Sequence, residues 1–127
     1  MPQPLISIVI PCFNARRFIR ETLQSVLAQS YKDYEIIMVD DGSTDGSPDI
    51  VSREFPSAKL LRLEQNKGPS HARNIGTRES RGEYIQYLDA DDLLQPTALE
   101  TRMEALVHDD ADVAYSDWQK LCEVKGK

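Results

Sequence analysis

Leu5-Ile6-Ser7-Ile8-Val9-Ile10 runs apolar and β-branched with little alternation and stops at Pro11. A short run with no polar face has no side to offer water, so it belongs in a sheet covered on both faces. Parallel sheets have that covering, because the crossovers that join parallel strands lay helices on the sheet. The rest of the chain repeats the theme. Tyr34–Val39, Lys59–Leu63 and Tyr84–Leu88 read as further strands, the last as a buried one, and Asp112–Asp117 as a fifth. Between them lie helical patterns. Phe18, Ile19, Thr22, Leu23, Val26 and Leu27 recur at 3–4 spacing, which predicts a helix with one buried stripe, capped by Asn14 and ending near Gln29-Ser30. Ser47-Pro48 opens a second helix that turns Ile50, Val51 and Phe55 inward. Ser70 caps a third, running to about Arg78, and Pro96 sits in the first turn of a fourth reaching about His108.

Strands that alternate with helices, joined by right-handed crossovers, predict an α/β fold. The expected architecture is a three-layer α/β/α, doubly wound and mainly parallel sheet in the order 3-2-1-4. Ligands of such sheets bind beyond the carboxyl ends of the strands, where the winding direction reverses, here between strands 1 and 4. Chemistry-bearing clusters fall there: Pro11-Cys12-Phe13-Asn14 after strand 1, Asp40-Asp41 after strand 2, and Asp89, Asp91 and Asp92 after strand 4. Carboxylates this close repel one another unless a cation or hydrogen-bond donors sit among them. Their hard oxygens suit Mg²⁺ or Mn²⁺, and Mg²⁺ commonly takes one or two carboxylates plus substrate phosphates. An isolated Asp-X-Asp is more often a solvated turn, but several clusters at one crevice favour a binding site.

Several function classes drop out. The turn after strand 1 has no glycine, so neither a dinucleotide-binding G-x-G-x-x-G nor a P-loop is present. A phospho-receiver module would carry its acids after strands 1 and 3, whereas here they follow strands 2 and 4. With 127 residues the chain is sized for one domain, and a net charge of −6 speaks against a nucleic-acid surface. No apolar run approaches the roughly 20 residues of a membrane span, and a cytoplasmic location, at most at the inner face of a membrane, is the expectation. Cys12 and Cys122 lie far apart and are expected to be reduced, Cys12 as a spectator thiol. His71 and the His108–Asp112 run read as solvated polar residues, and Asp117 beside Trp118 as a strand-end turn.

Ile8-Val9-Ile10-Pro11-Cys12-Phe13-Asn14, Val39-Asp40-Asp41-Gly42-Ser43-Thr44-Asp45-Gly46, Asn66-Lys67-Gly68 with Ala72-Arg73-Asn74-Ile75-Gly76, and Asp89-Ala90-Asp91-Asp92 follow one another in this order. Together they resemble the family-2 inverting glycosyltransferases of the GT-A, Rossmann-like fold, over about Leu5 to Leu99. The resemblance implies a nucleoside-diphosphate sugar, most often a UDP-sugar, as donor and a hydroxyl of a glycan, lipid-linked or other acceptor. It implies that Pro11 and Phe13 wall the base pocket, where the family more often carries tyrosine in place of Phe13. Asp41, with Asp40, would hydrogen-bond the base. Lys67 and Arg73 would lie near the nucleotide, Asp89 would reach the ribose and assist the metal, and Asp91 would bind the Mn²⁺ or Mg²⁺ bridging the diphosphate. Asp92 would support the metal or cap the next helix. The family's catalytic base lies in a later, acceptor-binding half and matches no residue here. Residues 1–127 are therefore expected to be a truncated donor-binding domain, and a fragment that binds nucleotide and metal without catalysis is the alternative.

Overall fold

Helices and strands alternate along the whole of the part that the computed structural model describes, residues 3–108. The elements are β1 (Ile6–Cys12), α1 (Ile19–Leu27), β2 (Tyr34–Asp40), α2 (Ser47–Glu54), β3 (Lys59–Arg62), α3 (Pro69–Glu79), β4 (Tyr84–Tyr87) and α4 (Ala98–His108). All pairings are parallel and the sheet order is β3-β2-β1-β4, as the sequence predicts. The expected fifth strand, Asp112–Asp117, lies outside the described residues, as do Trp118 and Cys122. Among the described residues, no helix is long and apolar enough to cross a membrane.

The period of two along β1 and β2 divides the core between the two faces of the sheet. Ile6, Ile8, Ile10 and Cys12 of β1, with Ile36 and Met38 of β2, pack against α1, α2 and α4 through Ile19, Leu23, Ile50, Leu99 and Met103. Ile37 and Val39 face the other way, onto Ala72 and Ile75 of α3. Three layers result. Gly76 brings α3 down onto that second face: a Cβ there would stand 2.4 Å from Cγ1 of Val9.

Local outcomes correct the sequence reading at several points. Asn14 does not cap α1, which starts at Ile19; it adopts φ 49° in the loop before the helix. Phe18 and Leu27, expected in the buried stripe, are exposed, and Ile19, Thr22, Leu23 and Val26 form the stripe alone. Phe18 drops out because the helix starts a turn later, at Ile19, and Leu27 is the last residue of the helix. α3 opens at Pro69 behind Gly68, so Ser70 lies inside its first turn. Tyr84–Tyr87 is half-buried rather than buried, although Leu88 just beyond it is fully enclosed. Asp92 is too far ahead of Ala98 to cap α4.

Ser7, the polar residue inside the apolar run of β1, is fully buried. Its hydroxyl donates to Glu35 at 2.5 Å and accepts the N–H of Gly82 at 2.8 Å. Glu35 also accepts the N–H of Arg81 at 2.7 Å, so one carboxylate on β2 pins the turn that leads into β4 across β1. Burial by itself raises the Glu35 carboxyl pKa, but the Ser7 hydroxyl and the Arg81 donors outweigh it and hold the group below its ordinary 4.5. A depressed carboxyl contributes stability above its unfolded-state pKa and loses it as pH falls through the folded-state value. The urea midpoint is therefore expected to fall as pH drops below 4.5, and to fall less steeply in Glu35→Gln. Gly76→Val is expected to destabilise by about 1–3 kcal/mol, the usual cost of overpacking, read as a lower urea midpoint at unchanged m-value.

Candidate donor site at the strand switch

β1 and β4 part company at the carboxyl end of the sheet. Their register runs from Ile6–Tyr84 to Val9–Tyr87, and the last ladder bond is Leu88 N–H to the Val9 carbonyl at 3.1 Å. Beyond it β1 continues beside β2 as far as Cys12 and Asp40, while the chain after β4 turns away into Asp89–Asp92. The gap between them is a cavity of about 370 Å³. Pro11, Phe13, Asp41, Arg73, Asp89 and Asp91 line it, so residues far apart in sequence converge as the motif pattern predicts. Asp40 and Lys67 do not line it. Asp40 is buried at the end of β2, where one oxygen accepts the N–H of Ser43 at 3.0 Å. Lys67 is exposed and faces a neighbouring depression of about 320 Å³ with Leu63 and His71.

Side-chain oxygens tie the loops around the cavity to one another. Asn14 donates its N–H to Ser43 Oγ at 2.8 Å, and its amide oxygen accepts the N–H of Thr44 at 2.8 Å. Asparagine tolerates the left-handed conformation this bridge requires better than most residues. Asp45 accepts the N–H of Arg16 at 3.0 Å and that of Ser47 at 3.0 Å, and it also takes the Ser47 hydroxyl. Burial raises the Asp45 pKa, but these donors outweigh it and leave the carboxyl below its usual range. Asp41 is 2 % exposed, and its two oxygens accept the N–H groups of Lys67 and Gly68, each at 2.9 Å. Gly68 has φ +98°, a conformation that side chains rarely adopt, so the loop reaches Asp41 only with glycine there.

The acidic turn is held by α1 and by Gln29 just beyond its end. Thr22, fully buried, donates its hydroxyl to the Ala90 carbonyl at 2.8 Å. Ser25 Oγ accepts the Leu94 N–H at 3.1 Å. Gln29 donates to the Gln95 carbonyl at 2.6 Å and accepts from Leu99 N–H at 3.1 Å. Within that turn Asp89, Asp91 and Asp92 can bring one oxygen each to within 4.8 Å of one another. The donor set is all carboxylate and suits a hard divalent ion. Asp89 also meets a cation of the chain itself: Arg73 Nη2 lies 3.3 Å from its Oδ1, with both side chains about one-fifth exposed. Arg73 is thus no plain surface residue of α3.

Cys12 is 1 % exposed, and burial, with Asp40 nearby, pushes its thiol up to about 12. It is a packing residue and not a nucleophile. Sequence reasoning missed Phe18, which is exposed and lines the cavity under Arg17, 5.4 Å from its ring centre. Its place in an apolar stripe hid it. Reasoning also missed the bracing roles of Thr22, Ser25 and Gln29, which a polar residue within the buried stripe of the helix, as at Thr22, could have signalled.

A crevice at the strand switch with aromatic, acidic and basic walls is where open α/β sheets bind their ligands. The chain belongs to Glycosyl transferase family 2, which it matches over residues 7–124. A Haemophilus influenzae protein described as an uncharacterized glycosyltransferase is 35% identical over 129 residues, covering 99% of this chain and 51% of that protein. The chain thus spans about half the length of that curated relative. A crystal structure of S. aureus TarS 1-349 in complex with UDP superimposes with a TM-score of 0.75 at 29% identity, over 82% of this chain and 32% of that one. The mannosyltransferase PcManGT from Pyrobaculum calidifontis, in complex with GDP-Man and Mn²⁺, gives a TM-score of 0.65 at 31% identity over 73% and 29% of the two chains.

Asp41→Asn removes the charge and one of the two acceptor oxygens facing the Lys67–Gly68 loop. A hydrogen bond to a charged group contributes about 1.5–3 kcal/mol, so the Lys67 and Gly68 amides are expected to exchange with deuterium at least about tenfold faster.

Proposed function

We propose that this chain is the donor-binding domain of an inverting glycosyltransferase that moves a sugar from a nucleoside diphosphate, UDP by preference, to an acceptor hydroxyl. The observation that carries the reading is the convergence of Pro11, Phe13, Asp41, Arg73, Asp89 and Asp91 on one cavity at the strand switch. The UDP complex of TarS and the GDP-Man and Mn²⁺ complex of PcManGT support the ligand class. Phe13, 49 % exposed, offers a ring face on which a base can stack. Asp41, at the cavity wall, offers carboxylate oxygens to a base N–H, while Asp40 accepts the Ser43 N–H in the turn that follows. Asp89 and Asp91 would hold a divalent ion, Mn²⁺ or Mg²⁺, with Asp92 beside them. Such an ion supplies Lewis-acid stabilisation of the charge on a leaving diphosphate. Arg73 adds a positive charge on the same wall, while Lys67 carries its charge at the neighbouring depression. Inversion requires a base that takes the acceptor proton on the face opposite the leaving group; the reading assigns that role to no described residue.

Calorimetric titration with UDP, GDP and dTDP, each with and without Mn²⁺, tests the reading. UDP is expected to bind, to need Mn²⁺, and to lose that dependence with its affinity in Asp91→Ala. A folded protein that binds none of the three overturns it.

A further inference from the structure

We propose that Arg73 is a positioning residue that serves as the built-in counter-cation of the acidic turn, holding Asp89 and keeping divalent-ion affinity low until a nucleoside diphosphate draws the guanidinium away. The inference rests on the reading of the cavity as a nucleotide and metal site. Among the described residues, Arg73 makes its one ion pair with Asp89, at 3.3 Å, the long end of hydrogen-bonding range. Its Nε is buried and has no hydrogen-bond partner. Burying a guanidinium N–H without an acceptor is costly. A side chain left in that state is poised to gain from an anion that offers more oxygens than Asp89 alone, and a diphosphate is such an anion.

The same geometry sets the electrostatics of the acidic turn. Asp89, Asp91 and Asp92 bring one oxygen each within 4.8 Å of one another, and the guanidinium is seated against Asp89. A divalent ion entering alone meets a cation already seated against Asp89, and it must share that carboxylate or displace the guanidinium. When a diphosphate takes the guanidinium, Asp89 is released to the ion. Nucleotide and ion are then coupled through one side chain, and by linkage the coupling acts equally in both directions.

The experiment is Mn²⁺ titration of the whole chain at 0.1 M ionic strength, followed by electron paramagnetic resonance of the free ion, first alone and then with saturating UDP. Arg73→Gln is expected to bind Mn²⁺ alone about tenfold more tightly than the parent, the scale of a removed charge at a partly exposed site. UDP is expected to strengthen Mn²⁺ binding less in the variant than in the parent, by about the same factor. Arg73→Lys, which keeps the charge, should stay within about threefold of the parent. Lys59→Gln removes an equal charge from the other end of the sheet, and should change nothing. If Arg73→Gln fails to fold, Arg73→Met keeps the packed stem and replaces it. Unchanged or weaker Mn²⁺ binding in the folded variant, beside a parent that binds UDP with Mn²⁺, overturns this proposal alone. A parent that binds neither overturns the donor-site reading and this proposal with it.

Discussion

The structure depends on β1 being hydrogen-bonded on both edges to parallel neighbours. Ile6–Cys12 is buried along its whole length, so every backbone N–H and C=O in it must find a partner inside the protein. β2 supplies partners over the full strand and β4 over its first half. Because all strands point one way, their carboxyl ends and the loops that leave them gather at one edge of the sheet. The early loss of β4 from the ladder then opens a gap there. The cavity is a consequence of unequal pairing lengths on the two sides of one strand.

A gap of this kind exposes loop backbone, and loops without regular structure must satisfy their polar groups by other means. The short polar residues do that here. Asn14, Ser43, Asp45 and Ser47 tie the loop after β1 to the loop after β2, and Asp41 ties the loop after β2 to the start of α3. Each bond is worth on the order of 1 kcal/mol net, but leaving its buried partner unmet would cost more. The result is a pre-formed rim. Asp41 illustrates the economy: a residue whose oxygens already hold two N–H groups is fixed in position before any ligand arrives.

The acidic turn is braced differently. Three carboxylates in four residues favour unfolding of that turn by mutual repulsion. Opposing this are the buried hydroxyl of Thr22 on the Ala90 carbonyl, the Gln29 clamp on the following segment, and the Arg73 charge against Asp89. α1, with Gln29 just beyond its end, is therefore a scaffold for a segment some 70 residues later in the chain. Its buried polar positions trade core hydrophobicity for control over where the carboxylates stand.

Much of this was legible beforehand. The mostly apolar run of β1, its Pro11 stop and the strand–helix rhythm determined the layers and the order 3-2-1-4, because burial on both faces and right-handed crossovers leave few alternatives. The motifs also marked Pro11, Phe13, Asp41, Arg73, Asp89 and Asp91 as residues of one site. Tertiary structure alone decided the rest. Asn14 became a loop bridge because Ser43 and Thr44 stand opposite it, which no local propensity encodes. Phe18 left the core because α1 begins at Ile19, and Lys67 faces away because its backbone, and not its ammonium, is what Asp41 holds. Periodicity and motif order report which face and which end of an element a residue occupies. Which partner it meets there depends on distances between segments far apart in the chain, and those exist only once the sheet has formed.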